Sequence, residues 1–395
     1  MIRASTFSDK WPIVKLGDVV NFLDHKRVPI TKSDRTPGEY QYYGANGSQG
    51  TINDFIFDEP LVLLAEDGGN FGHETRTIAY IARGKYWVNN HAHVLQPKDC
   101  IDLDYLCRVL ERYDVTPFVK GATRAKLSKT DASRIPIPLP PLETQKQIAA
   151  VLEKADQLRK DCQKMEQELN SLAQSVFIEM FGDPVTNPKG WTIKPLVELL
   201  NKPLQNGAYY PKEDYCEDGV EMVHMSDVFY DFVERGNMKR VKVSKKDIAK
   251  YKLTSNDILI SRRSLMLEGA AKPSLVQESG EDLIFESSII RLTPDTKQVN
   301  IMYLFYYLSN PKAKQHYVYQ YITGATIKGI NQTNLEKVEI LVPDMEVQNS
   351  FLERESIIRN QKNDLKKLKI ETDTNFNSLM QKAFNGELNL DNAKT

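Results

Sequence analysis

Cysteine is scarce in this sequence. The four residues are Cys100, Cys107, Cys162 and Cys216. They are too few and too scattered for a disulfide framework or for the paired CxxC ligands of a zinc site. The chain also lacks an uncharged apolar run of roughly eighteen residues, the length that a bilayer span requires, and its first eleven residues hold no hydrophobic signal segment. We therefore expect a cytoplasmic protein with reduced thiols and no membrane contact.

An excess of charge of either sign is missing too. Lys and Arg number 52, and Asp and Glu number 53, so the net charge of −1 gives the whole chain no attraction to nucleic acid. Any basic surface must be local. The hydrophobic fraction of 41% and the charged fraction of 27% are ordinary for a globular protein, and 395 residues suffice for two or three domains.

Signatures of catalysis are absent as well. The sequence has no GxGxxG, no phosphate-binding GxxxxGK[ST] and no tetrad of the kind found in amino-methyltransferases. Pro343-Asp344 with Asp364-Leu365-Lys366 matches a nuclease motif only formally, because its second part falls within a helical pattern. His91-Ala92-His93 is compatible with a metal site, but packed or hydrogen-bonded histidines are the favoured interpretation. We expect no catalytic residue and no metal in this chain.

What the sequence does contain is an internal repeat with a spacing of roughly two hundred residues. A period this long indicates a tandem pair of domains, because solenoid units have only about 20 to 50 residues. The matching segments are Trp11-Pro-Ile13 with Trp191-Thr-Ile193, Gly121-Ala-Thr123 with Gly324-Ala-Thr326, and Ile135–Gln145 with Val338–Gln348.

Each half begins with strand-like runs and a short helix, followed by a proline-containing exit at 136–141 or at Pro343. Both globular parts are therefore expected to be α/β or α+β. The predicted strands are 61–64, 77–81 and 94–95 in the first half and 257–260 and 288–292 in the second, with helices at 103–112 and 301–308.

A heptad pattern follows each exit. Each predicted helix has roughly 35 residues and a length of about 50 Å, more than a small domain is wide, so we expect the two to pair with each other. The linker at 182–190 sets the second domain beside the far end of the first helix, which predicts antiparallel pairing with the domains at opposite ends of a rod. The predicted seams are Val151, Leu158, Met165, Leu169 and Leu172 in the first helix and Phe351, Ile358, Leu365, Leu368 and Leu379 in the second.

The predicted fold class is thus α+β, with two α/β domains in tandem pseudo-repeat, each followed by a long helix of an antiparallel coiled coil. The predicted boundaries are 1–142 for the first domain, 143–181 for its helix, 182–190 for the linker, 191–345 for the second domain, 346–385 for its helix and 386–395 for the tail.

Candidate DNA-binding residues lie in basic loops that also carry Tyr, Asn or Gly. Lys and Arg position phosphates, whereas Arg and Asn also read base edges. The alternative is that these charged residues are only solvated surface residues without a role in DNA binding. The candidates are Lys26, Arg27, Arg35, Tyr43, Asn46, Asn70, His73, Arg124 and Lys126 in the first half, and Arg240, Lys242, Arg262, Arg263, Ser264 and Lys328 in the second.

This combination of features resembles the specificity subunits of type I restriction-modification enzymes. The resemblance is carried by the tandem repeat, by Tyr42–Gly47 and Trp87–His93, and by the Gly-Ala-Thr triplet that precedes the proline-rich exit and long helix. It covers Trp11 to about Phe384. It implies two target recognition domains spaced by an antiparallel coiled coil, in a noncatalytic chain that reads a bipartite double-stranded DNA sequence.

The resemblance also implies partners. Two methyltransferase subunits and, through them, restriction and translocase subunits would assemble on this chain and hold the S-adenosylmethionine, Mg²⁺ and ATP, with no cofactor bound by the chain itself. Because Glu286-Ser287-Ser288 replaces the Asn90-His91-Ala92 region, the two domains are expected to read different half-sites. The alternative function is a coiled-coil adaptor whose globular domains bind proteins, against which the basic loops argue weakly.

The paired helices should act as a ruler between the half-sites. Deleting one heptad from each helix, 158–164 and the aligned 361–367, keeps the seams in register and shortens the pair by about 10 Å. At about 3.4 Å per base pair, methylome sequencing should then show unchanged half-sites with a spacer shorter by about three base pairs. An unchanged spacer would contradict the ruler. Removing three base pairs also rotates one half-site by about 100° relative to the other, so a domain can lose its groove. Loss of all methylation would therefore neither support nor contradict the ruler.

Overall fold

The computed structural model describes residues 2–73, 76–121 and 125–390, and the chain folds into two units with separate hydrophobic cores. The first unit comprises Met1–Lys164 and Lys366–Thr395, and the second comprises Met165–Leu365. Each unit therefore combines one globular domain with parts of both long helices.

The first unit is built on the run Leu61–Ala65, in which every residue is buried. A strand buried on both faces reads as continuous apolar sequence, which is why this run was recognisable. The strands are β1 (Ile13–Lys15), β2 (Val20–Phe22), β3 (Tyr40–Gly44), β4 (Gly47–Ile52), β5 (Leu61–Ala65), β6 (Ala79–Ala82), β7 (Tyr86–Val88), β8 (Ala92–Pro97) and β9 (Pro136–Pro138), and the helices are α1 (Leu16–Val19), α2 (Leu103–Leu110), α3 (Lys129–Ala132) and α4 (Leu142–Phe181).

The second unit continues the chain with a similar succession of short strands and a short apolar helix. Its strands are β10 (Thr192–Pro195), β11 (Leu200–Asn206), β12 (Tyr215–Val223), β13 (Arg240–Val241), β14 (Ile258–Ser261), β15 (Arg263–Ser264), β16 (Pro273–Leu275), β17 (Leu283–Phe285), β18 (Ile289–Pro294), β19 (Lys328–Gly329) and β20 (Glu339–Val342), and its helices are α5 (Lys245–Tyr251), α6 (Ile301–Ser309), α7 (Pro311–Ala313), α8 (Gln332–Glu336) and α9 (Met345–Phe384).

The two units share one topology, as the sequence repeat predicted. A four-stranded sheet has the order β2-β8-β5-β6 in the first unit and β11-β18-β14-β16 in the second. The three-stranded sheets also correspond. Strand β3 pairs in parallel with β7 in the first unit, and β12 pairs in parallel with β17 in the second. The ribbon of β1 with β9 likewise matches that of β10 with β20. The predicted strands and short helices of both halves are confirmed.

Each long helix is fixed to its domain by a fully buried glutamine in its first turn. Gln145 accepts from the backbone N–H of Asp102 at 2.8 Å and donates to the carbonyls of Cys100 at 3.1 Å and Pro140 at 2.8 Å. The buried amide thus satisfies three backbone groups at once.

Gln348 makes the equivalent three bonds in the second unit. It accepts from the N–H of Asn300 at 2.7 Å and donates to the carbonyls of Gln298 at 3.3 Å and Pro343 at 2.8 Å. The shared Gln of the repeat is therefore a structural anchor between domain and helix.

The long helices pair antiparallel within each unit. In the first unit, Arg159 of α4 bonds to Asp373 near the end of α9 at 2.6 Å. In the second unit, the aromatic ring of Phe351 near the start of α9 packs against Phe177 and Phe181 near the end of α4, with ring centroids 5.7 and 5.2 Å apart. The predicted direction of pairing is confirmed.

Four predicted seam residues are wrong. Leu158, Met165, Leu172 and Leu368 are between 43% and 54% exposed. On α4 the buried face instead passes through positions such as Leu152, Cys162, Ala173 and Phe177. At two steps α4 buries the residue four positions on rather than three, so Leu152 and the small Ala173 lie inside while Val151 is half-buried and Leu172 exposed.

The other predicted seam residues lie at or beside the buried face. Phe351, Ile358 and Leu365 are buried, and Leu169 and Leu379 pack against the two main cores. Val151 is half-buried. None of the helices in the described part of the chain is long and apolar enough to span a bilayer.

Replacing the buried amide should destabilise the junction. Gln145→Leu leaves one N–H and two carbonyls unpaired, and we expect the free energy of unfolding in urea to fall by about 3 kcal/mol, since each orphaned group costs about 1–3 kcal/mol. Gln163→Leu, at an exposed position of the same helix, should change it by less than about 0.5 kcal/mol. Equal stability of the two variants would refute the anchor.

Candidate nucleic-acid interface

The segments that follow β5 and β14 occupy equivalent places in the two units. The carbonyl of Glu66 accepts from Leu127 N–H at 2.7 Å, as the carbonyl of Arg262 accepts from Ile330 N–H at 3.1 Å. The N–H of Glu66 donates to His91 and that of Arg262 donates to Ser288. One backbone framework therefore carries a carboxylate in the first unit and a guanidinium in the second.

In the first unit this place is part of a buried cluster of charges. Arg27 donates from Nη1 to Glu66 Oε2 at 2.7 Å and to the Ala92 carbonyl at 2.6 Å. The two ring nitrogens of His93, which is fully buried, lie 2.7 Å from Asp24 Oδ2 and 2.8 Å from the Leu127 carbonyl. Both partners are acceptors, an arrangement that a doubly protonated imidazole satisfies.

The ionised state of both carboxyls is stabilised inside this cluster. Burial alone would raise the pKa of Asp24, but the hydrogen bond and charge of His93, the hydrogen bond from Val94 N–H and the charge of Arg27 together lower that pKa. Burial likewise opposes ionisation of Glu66, whose pKa is nevertheless lowered by hydrogen bonds from Arg27 and Lys126. The cluster is therefore a set of satisfied internal ion pairs.

The ligand atoms of Asp24, Glu66 and His93 lie within 4.8 Å of one another, as in a metal site. The positive charge that these carboxylates require is already supplied by protein. Arg27 nitrogens lie 2.7 Å from Glu66 and 3.6 Å from Asp24, and Lys126 Nζ lies 3.0 Å from Glu66. We therefore assign the cluster a structural role. Both histidines of the His91-Ala92-His93 segment are hydrogen-bonded within the domain, His93 in this cluster and His91 to Asp67.

The prediction of Arg27 as a DNA-binding residue is therefore corrected. Its side chain is only 12% exposed and is saturated by acceptors within the domain. The guanidinium of Arg35 stacks 3.7 Å from the centroid of Tyr42 and donates to the Gln49 carbonyl. The ring of Tyr43 packs against Tyr80 and Tyr86, so these predicted residues also serve the fold.

Other first-unit candidates remain at the surface. Lys26, Asn46 and His73 are exposed, although Asn46 donates to the Gly68 carbonyl at 2.9 Å. Asn70 is half-buried and donates to the Thr77 carbonyl at 3.2 Å. Lys126 is exposed while paired with Glu66, and Arg124 lies outside the described residues.

In the second unit the corresponding arginines face outward. Arg263 is exposed and Arg262 half-buried, and the short ribbon of β15 with β19 sets Arg263 opposite Gly329 and Ser264 opposite Lys328. Lys328 donates from Nζ to the Gly324 carbonyl at 2.9 Å. The ribbon thus brings three predicted candidates close together, with Ser264 and Lys328 on one face and Arg263 on the other.

The basic residues around Arg240 differ in their availability to a ligand. Arg240 donates to the Gly219 carbonyl at 3.0 Å and pairs with Glu281 at 3.1 Å, and together with Arg235 it neutralises the buried Glu221. It is therefore largely committed to the fold. Lys242, two residues on, is exposed.

Sequence reasoning missed Lys314, which lies in a π-helical turn and supports the loop after β15. It is buried and donates from Nζ to the Glu268 carbonyl at 2.6 Å. Burial lowers its pKa to about 8. A lone lysine in a helical stretch gives no signal in the sequence that distinguishes it from a solvated one.

Comparison with known sequences relates both halves to one family. The sequence profile described as the type I restriction modification DNA specificity domain matches residues 8–172 and 188–373. The MjaVIII specificity subunit of a type I restriction enzyme from Methanocaldococcus jannaschii is 25% identical over 382 residues, covering 89% of this chain and 87% of that protein. The EcoKI specificity subunit of Escherichia coli K12 is 23% identical, covering 95% and 85%.

A solved structure shares the fold. The S subunit of a type I restriction-modification system from M. genitalium aligns with a TM-score of 0.58 at 14% identity, over 95% of this chain and 96% of that one. The tandem α+β architecture with a long helix after each domain therefore has a counterpart in a crystal structure.

Removing the central cation of the first unit should destabilise it. Arg27→Met leaves Asp24 and Glu66 buried without their guanidinium, and the free energy of unfolding at pH 7 should fall by about 3 kcal/mol. The exposed neighbour provides the control, since Lys26→Met should change stability by less than about 0.5 kcal/mol.

The free energy of unfolding lost in Arg27→Met should become smaller as the pH falls. The lowered carboxyl pKa values stabilise the fold above the ordinary carboxyl range, and this contribution disappears as the pH falls through the folded-state values. Urea titrations at decreasing pH should therefore show the stability gap between Arg27→Met and the unmodified chain closing; a constant gap would contradict the ion-pair assignment.

Proposed function

The chain belongs to the family of type I restriction-modification DNA specificity domains, and we propose that it selects the DNA sequence on which such an enzyme acts. Each unit reads one half-site of a bipartite double-stranded target. The observation that carries this proposal is the β15–β19 ribbon of the second unit, on which Arg263 is exposed and Lys328 half-buried, with the half-buried Arg262 directly before it.

The two half-sites differ in this proposal because equivalent places carry different chemistry. Where the second unit presents Arg262 and Arg263, the first unit has Glu66 and Asp67, with Glu66 held in internal ion pairs. Arginine reads guanine in the major groove, whereas Asn46 and Asn70 in the first unit are suited to adenine. The domains thus offer different donors to base edges.

Methylation and cleavage belong to partner subunits in this proposal. Two methyltransferase subunits bind this noncatalytic chain and connect it to restriction and translocase subunits, and they hold the S-adenosylmethionine, Mg²⁺ and ATP. The net charge of −1 is compatible with shared binding of the duplex, in which the methyltransferase subunits supply part of the phosphate contacts.

A gel-shift assay with the reconstituted methyltransferase complex tests the proposal. The complex should bind a duplex carrying the sequence found by methylome sequencing at least about 10³-fold more tightly than an unrelated duplex at physiological salt. Binding of protein partners without any sequence preference for DNA would support the adaptor function instead.

Substitution of an exposed arginine should affect only one half-site. Arg263→Ala should cost about 1–3 kcal/mol and relax one position of the half-site read by the second unit, because it removes a base contact. A lost phosphate contact would instead weaken all sequences alike, as expected for Lys242→Ala. Altered preference in both half-sites would contradict the assignment of one half-site to each unit.

The isolated chain should show no nuclease or methyltransferase turnover with Mg²⁺, ATP and S-adenosylmethionine present. Its sequence contains none of the catalytic motifs considered, and Asp364 lies within the long helix α9. Activity of the purified chain that disappears on Asp344→Ala or Asp364→Ala would contradict this expectation.

A further inference from the structure

We propose that Leu265, Met266 and Ile327 form an apolar surface that contacts the C5-methyl groups of thymines in the half-site read by the second unit. This inference rests on the proposed function and goes further by assigning base-contacting residues that are neither charged nor polar. It follows from the exposure of these side chains, the rigidity of their loop and the charges beside them.

The three side chains are unusually exposed for their size. Leu265, Met266 and Ile327 are 76%, 66% and 52% exposed. Scattered apolar residues at a surface are ordinary, but these are neighbours. The ribbon pairs Arg263 with Gly329 and Ser264 with Lys328, so the next positions along its two segments are Leu265 and Ile327.

The loop that carries Leu265 and Met266 is held by hydrogen bonds. Ser264 Oγ accepts from the N–H of Met266 at 3.1 Å, and the Met266 carbonyl accepts from the N–H of Gly269 at 3.2 Å. Farther along, the Glu268 carbonyl accepts from buried Lys314 at 2.6 Å, and the Gly269 carbonyl accepts from Ser261 Oγ at 2.5 Å.

The Ile327 side of the surface is also constrained. The segment turns back on itself through reciprocal backbone bonds between Thr323 and Gly329, of 2.9 and 2.8 Å. Gly324 has φ of +105°, and a Cβ atom there would lie 1.9 Å from the Ile327 carbonyl oxygen. The apolar side chains are therefore presented by a preformed surface, which lowers the entropy lost on binding.

Charge identifies the partner. Arg263 and Lys328 lie on the ribbon and Arg262 directly precedes it, so cations adjoin Leu265 and Ile327 along both segments. Cations beside an apolar contact favour DNA over an apolar protein surface. The one apolar group that a base pair presents in the major groove is the thymine methyl, which makes it the complement of these side chains.

The described residues of the first unit that follow β5 carry different chemistry. Its backbone there carries Glu66 and Asp67, followed by Gly68 and Gly69, with Phe71 packed against the core. The thymine contact is therefore assigned to the second unit alone, and the half-sites differ in this respect too.

The test uses the complete complex and chemically altered duplexes. Methylome sequencing of cells that express the chain with its methyltransferase subunit gives the target, and Arg263→Ala identifies the half-site read by the second unit. Each thymine of that half-site is then replaced by deoxyuridine, which lacks only the C5-methyl group. At least one replacement should weaken binding by the unmodified complex by about four-fold, which corresponds to about 0.8 kcal/mol for one buried methyl group.

The variant Leu265→Ser/Met266→Ser should bind that thymine duplex and its uridine counterpart equally. Ile193→Ser, which changes another exposed apolar residue of the same unit, should keep the four-fold discrimination. Ile327→Ser provides a second variant, expected to reduce the discrimination by itself. Thermal unfolding confirms that each variant is folded.

Two outcomes would overturn the inference while leaving the proposed function intact. One is an unmodified complex that binds its target specifically but is insensitive to every uridine. The other is a double variant that keeps full discrimination, or that loses affinity equally for thymine and uridine duplexes, as insertion between base pairs would produce. A complex without any sequence preference would instead contradict the proposed function itself.

Discussion

The amide that joins each long helix to its domain is the constraint on which the rest of the structure depends. Gln145 and Gln348 are fully buried, and each satisfies one backbone N–H and two backbone carbonyls. Since an unpaired buried polar group costs about 1–3 kcal/mol, the direction in which each helix leaves its domain is strongly determined. Recognition loops and helices are thereby held in one frame.

The two units differ in the side chains of the segments that follow β5 and β14. The backbone bonds around Glu66 and Arg262 are equivalent, but Glu66 belongs to a buried cluster with Arg27 and His93, whereas Arg262 directly precedes the ribbon on which Arg263 is exposed. The cluster stabilises the first domain. The ribbon presents cations and apolar side chains on a preformed loop. A common scaffold with different surface chemistry is what reading two unlike half-sites requires.

Much of the fold was predictable because its causes are local. The continuous apolar run Leu61–Ala65 indicated a strand buried on both faces, and the repeat carried that inference to the second half. The seam was predicted in part, because Leu172 fits a heptad as well as its neighbour Ala173, which the fold buries. Arg27 was assigned to DNA because composition does not reveal that Glu66, 39 residues later, lies 2.7 Å away.

The most direct test of the account is a duplication of one domain. Replacing residues 11–141 by a copy of 191–344, with both long helices retained, gives a chain whose two domains are the same. Methylome sequencing of cells that express it with the methyltransferase subunit should show two copies of one half-site, because each domain reads DNA independently. Methylation of the original asymmetric sequence would contradict the central claim.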